Sequence, residues 1–476
     1  MERNPIMFQI NLKQPISIYF VGIGGVSMSG LAEILADAGF RVSGSDRAKS
    51  DLCTRLEKKG IQIYYGQKAE NIKDGIDCAV LTAAIRPDNP EFIAIQEKGI
   101  PTLTRGQLLG ELMRNYDMPI AVSGTHGKTT TTSMISEILL ESEKNPTLSI
   151  GGIYPRIHSN TLVGGKEYFV LEACEYTNSF LSFFPKISVI LNVEEDHLDF
   201  FKDIHDIRNS FHQFAKLLPK DGALVINATI DNYGELTKDL TCPVVTYYGC
   251  HSLEELALDP TFGADYYPKD ITFDKNGFAS FTACCKKKSD RRFTLSVPGI
   301  HNVGNALAAI ATADLLGVDD EAIAKALKSY GGTERRFEHK GSFHGVTVID
   351  DYAHHPTEIK ATLTTAQPIK TGTLWCVFQP HTYSRTKSFL TEFAQALSLA
   401  DKVVLADIYA ARETDTLGIS SETLQREIQK LGTDCYYFPS FEEIEKFLLE
   451  NCTKDDMLIT MGAGDVYKIG ESLLKK

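Results

Sequence analysis

Residues 119–142 read PIAVSGTHGKTTTTSMISEILLES. Ile120, Ala121 and Val122 are the end of a buried strand. Met134, Ile135, Ile138 and Leu139 recur at three- and four-residue spacing, which predicts a helix. Between strand and helix lie Gly124, Thr125, His126, Gly127, Lys128 and Thr129. That order suits phosphate binding: glycines let backbone N–H groups converge, the helix N-terminus adds positive potential, and Lys128 adds a charge. A hydroxyl at Thr129 is placed to meet a magnesium ion. The eight-residue phosphate-loop pattern wants a further glycine where Val122 stands, so only the shorter G-x-x-G-K-T is present. Such a stretch also occurs in ordinary loops. The flanking strand and helix favour a nucleoside triphosphate.

The chain has 476 residues, 43% hydrophobic and 23% charged, enough for two to four domains. A net charge of −13 argues against non-specific binding to nucleic acid or an anionic membrane. Ten cysteines without a C-x-x-C pair read as reduced thiols rather than a metal cage or disulfide framework. The N-terminus lacks signal-peptide character and no apolar run reaches the length of a membrane span. The expectation is a cytoplasmic protein that does not insert in membranes, either monomer or homodimer.

Upstream, Ile16–Val21 is a strand and the glycine run Gly22, Gly24, Gly25 leads through Ser27, Met28 and Ser29 into a helix. A second strand over 41–45 ends at Ser45 and Asp46. This is a βαβ start of Rossmann type, and its first reading is NAD. Ser27 replaces the third glycine of that fingerprint, and Ser27 and Ser29 add hydroxyl donors that suit a diphosphate generally. A purely structural glycine turn is the alternative. Strands at 61–65, 78–82 and 100–103 extend a parallel sheet, with Thr82 and Ala83 at a strand's C-terminal end, where ligands of α/β proteins sit.

Downstream of the phosphate loop, a strand at 168–171 ends in Glu172-Ala173-Cys174-Glu175. Another at 187–191 ends in Asn192-Val193-Glu194-Glu195-Asp196-His197. Both leave the sheet at the edge that carries the phosphate loop. Glu172 and His197 can therefore converge on Mg2+ or Mn2+, with Asp196 as a ligand or an orienting group. A solvated or capping His197 is the alternative. Residues 244–296 read as several short strands. A helix opens at His301, Asn302 and Asn305, whose polar groups suit a flat heterocycle, although Asn302 as a helix cap explains the pattern equally simply. After about residue 334 a third α/β unit is expected. Polar motifs at its strand ends are DDYAHHP (350–356), QPHTYSR (379–385), Ala411-Arg412-Glu413 and MGAGD (461–465).

GIGGVSMSG with VSGSD, SGTHGKTTTT, EACE, NVEEDHLD, PGIHNVGN, RRFE, DDYAHHPTEI, QPHTYSRT and MGAGD, in this order, resemble the Mur ligases over essentially the whole chain. The resemblance implies an α/β fold of three domains. These are a Rossmann-like UDP-sugar domain over 1–115, a P-loop ATPase domain over 116–333, and a Rossmann-like amino-acid domain over 334–476. It implies ATP-dependent ligation of L-alanine to the carboxylate of UDP-N-acetylmuramate through an acyl phosphate, in peptidoglycan precursor synthesis. Ligation of a tripeptide to the same sugar is the neighbouring alternative, and an NAD-dependent oxidoreductase or a regulatory nucleotide-binding module the alternatives from other classes.

Residue by residue, the resemblance places ATP phosphates on Gly124 to Thr130, with Lys128 central, and magnesium on Thr129, Glu172 and His197. It places adenine on His301, Asn302 and Asn305, an ATP phosphate on Arg336 and ribose on Asp351. The amino acid falls on His354, His381 and Arg385, and the UDP-sugar on the loop at 22–30, which decides against NAD. His354 or His381 is a candidate for the base that takes the amine proton. The chain departs from the family pattern at Cys174, Thr382 and Gln67, where many members carry Asp, Arg and His. Closure of the C-terminal domain on the ATP site is expected about hinges near 116 and 334.

Overall fold

The computed structural model describes residues 8–476 except 83, 84, 251, 260, 262, 412, 415 and 416. Ala83 and Arg412, singled out above, lie outside the described residues. The chain builds three sheets. The first has five parallel strands in the spatial order Gln62–Tyr65, Arg41–Asp46, Ser17–Val21, Cys78–Leu81, Thr102–Thr104. Two of its interior strands, Ser17–Val21 and Cys78–Leu81, are almost wholly apolar because helices cover both faces, whereas Arg41–Asp46 is mostly polar.

The second sheet has ten strands. Its centre is parallel and places Ile187–Ile190 and Tyr168–Glu172 on either side of Met118–Ser123. Along Met118–Ser123 the side chains alternate between two cores. Ile120 and Val122 pack with Met134, Ile135, Ile138 and Leu139 of the Lys128–Glu141 helix, while Ala121 faces Phe169, Leu171 and Phe211 on the other side. Both faces are therefore buried, which explains the unbroken apolar run.

Expectation and structure differ at the two margins of this sheet. Residues 244–296 are not a set of short strands. After Val244–Tyr247 come three long antiparallel strands, Tyr266–Phe273, Phe278–Cys285 and Lys288–Pro298. Their outer faces are polar and exposed, which blurs the hydrophobic pattern. At the opposite margin, a hairpin of Thr147–Tyr154 and Ser159–Leu162 packs on the first domain: Asn160 Nδ2 donates to Val26 O at 3.2 Å, and Arg55 to Ser159 Oγ at 3.1 Å.

The third sheet has six strands in the order Glu338–Phe343, Val346–Asp351, Met457–Met461, Leu374–Phe378, Lys402–Leu405, Asp434–Tyr437. All pairs are parallel except the first, an antiparallel edge strand with no apolar alternation to announce it. Among the described residues no helix is long and apolar enough to cross a membrane.

Candidate active site

The loop after Met118–Ser123 turns with Gly124 at φ 144° and Gly127 at φ 80°. A side chain at Gly127 would be strained by its left-handed backbone, and its Cβ would lie 2.9 Å from Asn305 Oδ1. Gly127 is the N-cap of the Lys128–Glu141 helix and supplies no side-chain cap, so the first-turn N–H groups keep their outward donors. Lys128 Nζ folds back to donate to Gly124 O and to Thr125 O at 3.1 Å, and it pairs with Glu175 Oε2 at 3.0 Å. Burial disfavours the ammonium, but Glu175, Cys174 and Glu172 outweigh that and hold it charged, above the usual lysine range.

Glu172 and Glu175 take different partners. Glu172 Oε1 accepts from Gly151 N at 2.5 Å. Burial pushes its carboxyl up, against the amide of Gly151 and the hydroxyl of Thr129. Arg336 reaches Thr129 Oγ1 at 3.4 Å. Thr129 and Glu172 thus form one hard-oxygen group at the helix start, a donor set that fits magnesium. His197 instead stands beside Glu175 and Asp196, its Nε2 3.7 Å from a carboxylate oxygen of each. Its backbone is left-handed, φ 53°, and its ring lies 4.5 Å from that of Tyr176. Glu175 is therefore the carboxylate shared by Lys128 and His197, a role that no local pattern separates from that of Glu172.

The C-terminal domain is seated on this edge. Arg385 donates from Nη2 and Nε to Asp196 Oδ1 at 2.8 and 3.1 Å, with both side chains over nine-tenths buried. Burial opposes the Asp196 carboxylate, but Arg385 and the nearby histidines hold its pKa well below the usual range. Asp196 is thus tied to an arginine 189 residues away and is placed to orient rather than to bind metal. Arg385 Nη1 also donates to His381 Nδ1 at 2.9 Å. His354 Nδ1 faces Tyr352 O at 3.1 Å and Glu358 Oε2 at 3.3 Å, and the His354 and His381 rings lie 5.5 Å apart. His126 of the phosphate loop crosses the same boundary, with Nδ1 3.1 Å from Glu358 Oε1 and Nε2 3.4 Å from Glu194 Oε2.

One nitrogen each of His126 and His355 and an oxygen of Glu194 lie within 4.8 Å of one another. His355 Nε2 is already engaged with Glu195 O at 3.1 Å, and its Nδ1 with Thr357 N at 3.4 Å. His126 faces two carboxylates, so the cluster is an ion-pair network joining the domains.

Asp351 is buried and saturated: it accepts from Phe337 N (2.9 Å), Ala353 N (2.7 Å) and Thr362 Oγ1 (3.2 Å). Burial raises its carboxyl to about 6, against the pull of Arg336. In this arrangement it anchors the inter-domain joint. Asn302 lies inside the helix rather than at its cap. It donates to Pro298 O at 2.7 Å and accepts from Asn305 Nδ2 at 3.0 Å, which aims Asn305 at Gly127. His301 and Thr130 are half-buried in the first turns of their helices.

In the first domain, the glycine loop closes on itself. Gly22 N and Ile23 N donate to Ser45 O at 2.9 Å, and Gly24 N donates to Asp46 Oδ2 at 2.8 Å. Ser45 turns inward and donates from Oγ to Glu91 Oε2 at 2.5 Å, while Met28 and Ser29 are buried in the helix. That leaves Gly25, exposed, and Ser27, half-buried, at the mouth beside Thr82. Arg105, which no motif marks, donates to Ser27 Oγ at 3.1 Å and acts electrostatically on Cys174. It brings positive charge between the two glycine loops. Gln67 accepts from Asn89 Nδ2 at 2.7 Å, and Thr382 caps the helix that carries Arg385.

Residues 17–117 match the sequence family described as "Mur ligase family, catalytic domain", 122–313 the "Mur ligase middle domain" and 335–464 the "Mur ligase, glutamate ligase domain". The chain is 57% identical to the UDP-N-acetylmuramate–L-alanine ligase of Agathobacter rectalis over 99% of its own length and 100% of that protein. It is 56% identical to the enzyme of the same name from Lachnospira eligens, over 98% and 100%. Among solved structures it is similar to the UDP-N-acetylmuramate-alanine ligase of Thermotoga maritima, with TM-score 0.79 and 29% identity over 97% and 98% of the two chains. The murein peptide ligase of Psychrobacter arcticus shares the fold, with TM-score 0.70 and 24% identity. With three consecutive domain matches and full-length relatives above half identity, the chain belongs to the Mur ligase family.

Proposed function

We propose that this chain joins the amino group of L-alanine to the carboxylate of UDP-N-acetylmuramate, with cleavage of ATP to ADP and phosphate, in peptidoglycan precursor synthesis. The observation that carries the reading is convergence at one sheet edge. A phosphate loop with its lysine (Lys128), a hard-oxygen pair (Thr129, Glu172) and a histidine–arginine group from another domain (His354, His381, Arg385) meet there. The names of full-length relatives supply the substrates.

A carboxylate is a poor acyl donor because oxide would have to leave. Transfer of the γ-phosphoryl group to it gives an acyl phosphate, from which phosphate leaves readily. Lys128 and the first-turn N–H groups stabilise charge on the transferring group. Magnesium, held by Thr129 and Glu172 with His197 nearby, would neutralise phosphate charge there. Arg105 and the mouth of the Gly22–Ser29 loop are placed for the diphosphate of the sugar nucleotide. Arg385 and the neighbouring histidines receive the amino acid.

Hydrogen-bond roles support His354 as the base. Arg385 can only donate, so His381 Nδ1 accepts and its proton sits on Nε2. His354 Nδ1 faces two acceptors, so that nitrogen carries the proton and Nε2 keeps a lone pair. Burial, only partly offset by Glu358, lowers His354 to about 4, and burial with His354 and Arg385 lowers His381 to about 3. Both are neutral at pH 7, and His354 is the one with a free lone pair.

The test is phosphate release from ATP with UDP-N-acetylmuramate, with and without L-alanine, for wild type and Lys128→Ala. Release that needs both substrates, falling by about 10²–10³ or more in the variant, is expected. Release with a tripeptide in place of L-alanine would move the chain to the peptide-ligase branch. No release with either would overturn the reading.

A further inference from the structure

Glu358 belongs to no motif role assigned above, yet it sits at the centre of the inter-domain contact. It lies near the start of the Pro356–Ala366 helix, half-buried, and divides its two oxygens between two domains. Oε1 is 3.1 Å from Nδ1 of His126 in the phosphate loop. Oε2 accepts from the backbone N–H of His354 at 3.0 Å and lies 3.3 Å from His354 Nδ1. The carboxylate therefore anchors the His354 main chain beside the Tyr352 carbonyl that takes the Nδ1 proton, and at the same time ties that residue to the phosphate loop.

We infer that Glu358 is a positioning residue for amide formation: it presents His354 Nε2 as the base for the L-alanine amine only when the C-terminal domain is docked through His126. The inference rests on the functional reading above. In the step concerned, the amine nitrogen forms a bond to the acyl carbon and loses a proton to His354 Nε2. The bond from that carbon to the phosphate oxygen breaks, and phosphate leaves with its electron pair. His354 becomes an imidazolium whose Nδ1–H stays bonded to Tyr352 O, with Glu358 Oε2 3.3 Å from that nitrogen, so the carboxylate stabilises the charge that appears. The proton then passes to solvent. Other charged groups near His354 are Arg385, Asp196 and His381, and near His126 they are Glu194 and His355. Only Glu358 among them is hydrogen-bonded to both residues, to the backbone N–H of His354 and to the ring of His126.

The experiment separates the two half-reactions. Positional isotope exchange in ATP, with UDP-N-acetylmuramate and no L-alanine, reads phosphoryl transfer; amide formation under saturating L-alanine reads the whole reaction. For Glu358→Gln, nearly the same size without the charge, kcat for amide formation is expected to fall about 10²-fold, the lower end of a general-base contribution. Exchange should fall far less, and Glu358→Asp should recover part of kcat. Parallel losses in exchange and amide formation would overturn the inference and make Glu358 a general packing residue, as would an unchanged kcat. Wild-type exchange without any amide from L-alanine would overturn the functional reading, and this inference with it.

Discussion

Two loops of this chain turn from strand to helix through glycines, at Gly22–Ser29 and at Gly124–Thr129, and they are equipped differently. The first spends an amide on an acid: Gly24 N donates to Asp46, and its cation, Arg105, arrives from another helix. The second carries its own lysine, holds it with its own carbonyls and a buried glutamate, and adds a histidine that reaches the third domain. Under the proposed function, the same backbone device would serve binding in one place and charge stabilisation in the other. Backbone amides suffice to hold a diphosphate that does not react. A transferring phosphoryl group needs a cation positioned before charge develops.

The sharpest way to break that contrast is to remove each cation. Lys128→Met should lower kcat by about 10²–10³ with a smaller change in KM, because its interaction strengthens in the transition state. Arg105→Met should instead raise KM for the sugar nucleotide about tenfold, near 1.4 kcal/mol, with kcat little changed. Initial-rate measurements with each substrate varied check both. A kcat loss for Arg105→Met as large as for Lys128→Met would place both loops in the chemical step.

The loops also differ in how tightly the backbone is enclosed. A Cβ at Gly24 would lie 2.6 Å from Cys53 Sγ and 2.8 Å from Asp46 Oδ2. Gly24→Ala is expected to destabilise by about 1–3 kcal/mol, as overpacking does, and adding Cys53→Ala should recover part of it. Thermal unfolding followed with and without the sugar nucleotide tests this. A variant as stable as wild type would show that the loop moves aside freely.

Both loops were legible in the sequence because strand, glycines and helix are contiguous and each has its own periodicity. So were the parallel strands, whose apolar runs follow from burial on both faces. What was not legible lies across the chain. Glu172 and Glu175 are three residues apart and chemically alike, and only the fold turns the first to Gly151 and the second to Lys128. The Arg385–Asp196 pair spans 189 residues and has no local signature. Arg105 follows a capping Thr104 and reads as an ordinary first-turn residue. Ser45 and Asp46 are adjacent, yet strand alternation sends one to Glu91 and the other to the glycine loop. Glu358 left one trace: four residues after His354, at the start of a helix, it was within reach of that histidine.

The smallest expected effect concerns pH, and it too divides the loops. Burial opposes charge on His126, but Glu194 and Glu358 together raise it to about 10, and Glu194 falls to about 2 in return, against its own burial. A raised histidine contributes docking stability that is fully present below its ordinary value near 6.5 and is lost as pH climbs through about 10. The depressed glutamate contributes above about 4.5 and loses its contribution as pH falls through about 2. These are two sides of one contact, so the domain boundary is tightest between about pH 4.5 and 6.5 and loosens gradually on the alkaline side. Amide exchange at Glu194–His197 and His354–Glu358, corrected for the intrinsic rate, should therefore speed up modestly from pH 7 to 10. His126→Gln should abolish that dependence while starting from a looser boundary. The Gly22–Ser29 loop, whose charged partners are a carboxylate and a guanidinium, should show no matching trend. An equal alkaline trend in wild type and His126→Gln would detach the phosphate-loop histidine from domain docking and leave Arg385–Asp196 as the contact that seats the C-terminal domain.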